Sequence, residues 1–405
     1  MNILICRWDI FPYPDILDTL KNKGHHYDVL DFSAIKISDD EIETFSNILE
    51  EKIKAKNSHS PNEEYNAVFS VNYFSYISEV CYRMNIRYVC YNIDSPLLNM
   101  QHPSVSLKTN CIYTFDSNEA NHFNNEGINT VHYLPLCTNA ERVQTLIAES
   151  KASKKCCLTE KYTDKYIYDI SFVGNLYDKN RYDEMELILP DYLCGYMDAA
   201  LEAQLNVSGG NILTKMLTPE IIDMLSQYTE IKTSMQSYAD LIFHFTTSVL
   251  SHKAAAKIRI STLNKLAIRY PNRVHLFTTS DTNSLFPGLV THKAADYLTK
   301  APLVFAHSKI NLNMTAPNIE TGIPLRVFDI LGAGGFLITD WREDLKDCFT
   351  IGKDLEVYDG IDDLLEKTDY YLKHEDKREK IAKHGFETVL KKHTYDIRLK
   401  MIFDK

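Results

Sequence analysis

Residues 306–341, AHSKINLNMTAPNIETGIPLRVFDILGAGGFLITDW, run through a strand, a loop, a helix start and a second strand. An α/β domain builds a nucleotide site with the same succession. Residues 308–314 alternate polar with apolar as a strand does, and the turn-rich residues 315–322 form a loop able to cover a ligand. Pro324 then opens a helix in which Leu325, Val327, Phe328, Ile330 and Leu331 form an apolar face. Arg326 and Asp329, three apart, are expected on the other side. A guanidinium fork matches phosphate and a carboxylate accepts from ribose hydroxyls, so the pair suits a nucleoside diphosphate. The same spacing also occurs in plain surface ion pairs. Gly332, Gly334 and Gly335 let the chain turn into the apolar strand 336–339.

The 405 residues exceed one ordinary core, which implies two domains. A net charge of −11 argues against a general nucleic-acid binder, which carries a basic stripe. The nine cysteines include no C-x-x-C pair and several lie inside apolar strand patterns, as expected of a reduced, cytoplasmic protein. The adjacent Cys156 and Cys157 have no second ligand pair beside them, so a metal is not expected there. Met1 to Cys6 leads straight into Arg7-Trp8-Asp9 and reads as a first strand, not a signal peptide. No run of about eighteen apolar residues occurs, so no membrane-spanning helix is expected.

Working outward, residues 1–150 alternate strand and helix, with strands at 2–6, 27–30, 67–71, 88–91, 111–116 and 131–136. Such alternation predicts a parallel sheet covered on both faces, with ligands at the carboxyl ends of its strands. Charge and small polar residues replace apolar periodicity around 151–168, where a linker is expected. A second lobe follows over 169–390: residues 169–175 restart a strand ending at Gly174-Asn175, residues 182–270 read as a helical insertion, and 273–277 resume the sheet. Residues 391–405 hold a terminal helix.

The run Gly322-Ile323-Pro324-Leu325-Arg326-Val327-Phe328-Asp329, continued by Gly334-Gly335-Phe336-Leu337-Ile338-Thr339, resembles the G-x-P-x-R-x-F-[DE]-x4-G-G-F-L-[IL]-T pattern of group 1 glycosyltransferases, in their CgeB-like, spore-coat-associated branch. Asp94-Ser95-Pro96, Phe115-Asp116 and Tyr133-Leu134-Pro135-Leu136 are similar to the N-terminal domain that accompanies it. The resemblance implies an α/β fold of GT-B type, two Rossmann-like lobes with the terminal helix crossing back onto the first. It further implies a cytoplasmic, metal-independent enzyme that moves a sugar from a nucleoside-diphosphate sugar, foremost a UDP-sugar, to a glycan, protein or small-molecule acceptor without a cofactor. Related transferases flank the donor with Glu-x7-Glu. Asp329 falls at the second position, on the ribose, whereas Thr321 occupies the first and Glu320 lies one residue further off.

Glycosyl transfer needs a held diphosphate, a placed acceptor and a base. The diphosphate can be met by Arg326, by Lys309 or Lys253, and by backbone N–H groups at Gly174, Asn175 or the helix start. Asn313 and Thr315 are candidates for donor contact, as are Gly322, Pro324 and Leu325 around the helix start. A base belongs on the first lobe, and Asp9 and Asp94 both follow apolar strands there. Helix or turn capping is the competing role for each. Two rival readings share the fold: a sugar-nucleotide epimerase, and a non-catalytic binding or scaffold protein.

Overall fold

The computed structural model describes residues 1–32, 38–59, 64–153, 165–228 and 238–403, which places Cys156, Cys157 and most of the expected linker outside the described residues. The chain divides into two compact units, Met1–Cys137 with His393–Lys405, and Thr138–Lys392.

The first unit holds a six-stranded parallel sheet of β1 (Asn2–Arg7), β2 (His26–Asp31), β3 (Ala67–Val71), β4 (Arg87–Tyr91), β5 (Asn110–Thr114) and β6 (Val131–Tyr133), in the order β2-β1-β3-β4-β5-β6. Strands covered on both faces read as continuous apolar runs, and β3, AVFSV, is buried at every residue. Leu4, Val68, Ile77 and Cys90 belong to its core. The terminal helix Tyr395–Phe403 packs on the helix Tyr13–Asn22, and buried Arg398 donates to the carbonyl of Pro135 at 2.6 Å.

The second unit repeats the plan with β7 (Tyr168–Val173), β8 (Val274–Thr278), β9 (Leu289–Lys293), β10 (Ser308–Asn313), β11 (Leu337–Asp340) and β12 (Glu356–Tyr358), all parallel, in the order β12-β11-β10-β7-β8-β9. Edge strand β9 escapes sequence reading because it is short and only partly buried. Its core joins Ile170, Leu263, Leu312 and Ile338. The insertion between β7 and β8 carries an apolar cluster of its own, including Leu193, Leu201, Ile222, Phe245 and Leu250.

The boundary falls at 137 instead of 150, because the helix Ala140–Ser153 packs against the helices Ala301–Ala306 and Leu325–Gly332 of the second unit. In both sheets the order reverses beside the first strand, between β1 and β3 and between β7 and β10. Open α/β sheets place ligands at the carboxyl side of such a reversal.

Candidate functional site

At the carboxyl end of the first sheet the chain is pinned by side chains. Tyr13 donates its hydroxyl to the Cys6 carbonyl at 2.7 Å and accepts from the Val71 N–H at 3.1 Å, tying β1 to β3. Asp9 follows on the exposed loop, and it does not cap the helix Tyr13–Asn22, whose start at Pro12 has no side-chain cap. Asn72 adopts a left-handed backbone, φ 63°, and uses its amide on the next loop: Oδ1 accepts from Ile93 N–H at 2.9 Å while Nδ2 donates to Asp94 at 2.8 Å. Asp94 is solvent-accessible yet crowded by chain. That crowding raises its carboxyl above the usual range, and the Asn72 bond only partly offsets it. Beside it Glu119 accepts from Ser95 at 2.8 Å and from Thr114, and burial pushes its carboxyl up to about 7.

In the second unit, β7 is followed by Gly174, where a Cβ would come within 3.0 Å of the Phe172 ring. Asn175, next to it, is exposed. Its carbonyl accepts from Arg259 Nη1 at 2.5 Å, and Arg259 Nη2 reaches the Met314 carbonyl at 2.7 Å. Arg259 therefore bridges the loops after β7 and β10, at the reversal of strand order. Its guanidinium lies over Phe172 and Tyr177, 5.4 and 4.8 Å from the ring centroids. Tyr177 stacks in turn on His252 at 4.8 Å and has φ 56°, a left-handed conformation that costs a bulky residue strain.

The register pairs Asn313 with Thr339 at the ends of β10 and β11, and there the polar side chains knot around Asp340. Asp340 Oδ1 accepts from Thr315 N–H at 3.0 Å, Thr315 Oγ1 at 2.9 Å and Asn313 Nδ2 at 3.3 Å. Arg342, 4% exposed, faces the other oxygen at 3.2 Å. Asn313, expected to reach a donor, is thus engaged within the fold. The Thr315 hydroxyl is engaged too, although Thr315 also lines the cleft described below.

After the loop that carries Glu320, half-buried, and Gly322, buried, Pro324 immediately precedes the helix Leu325–Gly332. Helices 140–153, 301–306 and 375–392 surround this helix, so its polar positions are not on an open face. Asp329 is 7% exposed, a correction to the solvent side expected for it, and its Oδ1 accepts from Thr138 at 3.0 Å and Tyr297 at 3.2 Å. Arg326 and the half-buried Leu325 stand in the first turn, and the Arg326 guanidinium lies 5.2 Å from the Phe305 ring. Among the described residues Arg326 Nη1 and Arg259 Nε are both buried without a hydrogen-bond partner, and neither guanidinium has a carboxylate in an ion pair. Burial, foremost, and the like charge of Arg326 hold Arg259 below its ordinary pKa, against Tyr177 and Asp340, which raise it.

A cleft of about 1200 Å³ opens at these carboxyl ends, walled by Tyr177, Thr315, Asp340 and Arg342 on the sheet side and by Ser208 and Lys257 on the insertion side. Lys253 lines it but is paired with Asp183. Lys309 does not reach it: the second residue of β10 pairs with Asp169 at 2.6 Å, at the amino ends of the strands. Among the described residues no group of three histidine, cysteine, aspartate or glutamate side chains is arranged to hold a metal ion. Likewise no described helix is long and apolar enough to cross a membrane.

Arg259, Tyr177 and Asp340 stand at this strand reversal, and none of the three is singled out by the sequence patterns above. Asp340 had a signal, a carboxylate closing the apolar strand 337–340. Arg259 had none, since the helix Ser251–Arg269 carries several cations and only packing selects the one that points at the sheet.

Residues 260–404 match a family model described as glycosyl transferase-like. No curated protein matches the chain. Among solved structures it is similar to a glycosyltransferase from Rickettsia africae (11% identity, 100% of this chain and 97% of that one, TM-score 0.51). It is also similar to sucrose-phosphate synthase from Thermosynechococcus elongatus (11%, 99% and 97%, 0.51) and to Anabaena HepE in complex with UDP-glucose (8%, 100% and 98%, 0.52). At these identities the likeness establishes the fold, two Rossmann-like units of GT-B type.

Proposed function

We propose that this chain transfers a glycosyl group from a nucleoside-diphosphate sugar to a hydroxyl acceptor, with the diphosphate held by the second unit at the β7/β10 reversal. One observation carries the reading: among the described residues Arg259 and Arg326 each keep a buried N–H without a hydrogen-bond partner, and neither is in an ion pair with a carboxylate. A buried, unmatched guanidinium is costly unless an anion completes it. A diphosphate leaving group supplies both the charge and the acceptor oxygens.

In this reading the two guanidiniums take the charge that a divalent metal carries in other transferases, so turnover needs no added metal. Asp329, held by Thr138 and Tyr297, is assigned to the ribose, and Glu320 to the donor sugar. Asp94 is assigned as the base for the acceptor in preference to Asp9, because Asn72 orients its carboxylate and the surrounding chain raises its carboxyl above the ordinary range. A UDP-sugar is the donor to try first, on the precedent of the HepE complex.

The test is a thermal-shift and calorimetric screen of nucleoside diphosphates and sugar nucleotides, with magnesium and with a chelator. Binding to the native state raises the melting temperature by mass action. Stabilisation by one nucleotide family, unchanged by chelator, supports the assignment. No stabilisation by any member of the panel removes it and leaves the fold with a non-catalytic role.

A further inference from the structure

Between the helices Arg181–Glu186 and Asp191–Leu205 the insertion turns through Leu187 and Ile188, which are 86% and 58% exposed, with Tyr192 beside them at 64%. Three large apolar side chains presented together are a patch of the kind that marks an interaction site. The turn is rigid. Leu189 is buried in the insertion's own core, and the N–H groups of Ile188 and Leu189 both donate to the Met185 carbonyl, at 2.9 and 3.0 Å. Around the tip stand Glu184, Glu186 and Asp191, all exposed and none in an ion pair among the described residues. Arg181, at the far end of the short helix, is turned to His244. The result is an apolar knob with an acidic rim.

The same unit carries the reverse surface. A groove of about 840 Å³ lies at the amino ends of β7 and β10, away from the carboxyl-end cleft, with Ile147, Tyr166, Phe336 and Phe386 among its apolar lining. Lys151, Lys165, Lys380 and Lys383 stand around it. Glu379 answers Lys165, and Glu387 lies 3.9 Å from Lys383, while Lys151 and Lys380 have no ion pair among the described residues. In a chain of net charge −11, a basic apolar groove is a local exception.

We infer that the knob of one copy of this chain docks in the groove of a second copy. The acidic rim excludes an anionic bilayer as the occupant of the knob and matches the lysines of the groove, while the apolar tip matches its floor. Knob and groove are different surfaces, so the contact is head-to-tail and each bound copy offers a free knob or groove to the next.

The test is the size distribution of the full chain by analytical ultracentrifugation over a concentration series. Wild type is expected to grow beyond a pair, and less so at high salt. Leu187→Asp with Ile188→Asp, and separately Lys380→Glu with Lys383→Glu, are expected to leave single chains with unchanged melting profiles. An equal mixture of the two variants retains one intact knob and one intact groove, so it is expected to form pairs and nothing larger. Wild type that stays single at its highest soluble concentration overturns the inference. Association that survives in either variant, or a mixture that stays unpaired, overturns it equally.

Discussion

At the residue scale, the proposed chemistry rests on two guanidiniums that each keep one buried N–H without a hydrogen-bond partner among the described residues. Arg259→Ala and Arg326→Ala are each expected to weaken binding of the donor diphosphate by about 1.5–3 kcal/mol, the range for a charge-assisted hydrogen bond to a buried partner. Titration calorimetry with the best nucleotide of the screen reads this directly, and unchanged affinity in both variants removes them from the site. Arg259 is the sharper case, since its stacking on Tyr177 and its bonds to the Asn175 and Met314 carbonyls fix its geometry before any ligand arrives. Glu119 offers a separate test. Its carboxyl is raised, so the folded state holds the proton more tightly than the unfolded chain. That contribution to stability is present at low pH and is lost as pH rises from the ordinary glutamate range through about 7. Glu119→Gln removes the titration, so its melting temperature is expected to gain on wild type between pH 5 and pH 8. A difference that stays constant with pH contradicts the assignment.

At the element scale, the helix Leu325–Gly332 shows why periodicity found the helix and misplaced its polar residues. Spacing identifies one apolar face, but three neighbouring helices cover the opposite side as well, and Asp329 is buried where a free-standing amphipathic helix would expose it. The insertion is likewise legible as helical but not as a wall of the cleft. Its loop docks through Gly209, which has φ 66° and lies so close to Trp341 that a Cβ would stand 2.5 Å from Cδ1. Gly209→Ala meets both the left-handed backbone and the indole, and is expected to cost roughly 1–3 kcal/mol. Urea denaturation measures that cost. Gly127→Ala, also at positive φ but with open space around it, separates the backbone part from the collision.

At the scale of the whole molecule, chain order and unit membership part company. The helix Ala140–Ser153 belongs with the second unit, and Tyr395–Phe403, last in sequence, belongs with the first. Leu399, Ile402 and Phe403 are buried there, each contributing about 1.5–3 kcal/mol by burial. Deleting residues 393–405 is therefore expected to lower the melting transition of the first unit by ~10 °C or more while the second unit keeps its own. Differential scanning calorimetry resolves the two transitions, and an unshifted first transition would show that the helix does not brace that sheet.

Local pattern alone specifies the two parallel sheets, the helical insertion and the glycine-bounded helix start over 322–335. Local signals encode these: apolar runs for strands buried on both faces, a 3.6-residue period for helices, and glycine where the chain turns tightly. Packing between distant segments sets the rest: Asn313 and Thr315 turn to Asp340, Lys309 stands at the far end of its strand, and Arg259 crosses from the insertion's last helix to the strand reversal. Those outcomes depend on side chains from distant segments competing for the same few polar atoms. No local pattern records who their neighbours will be.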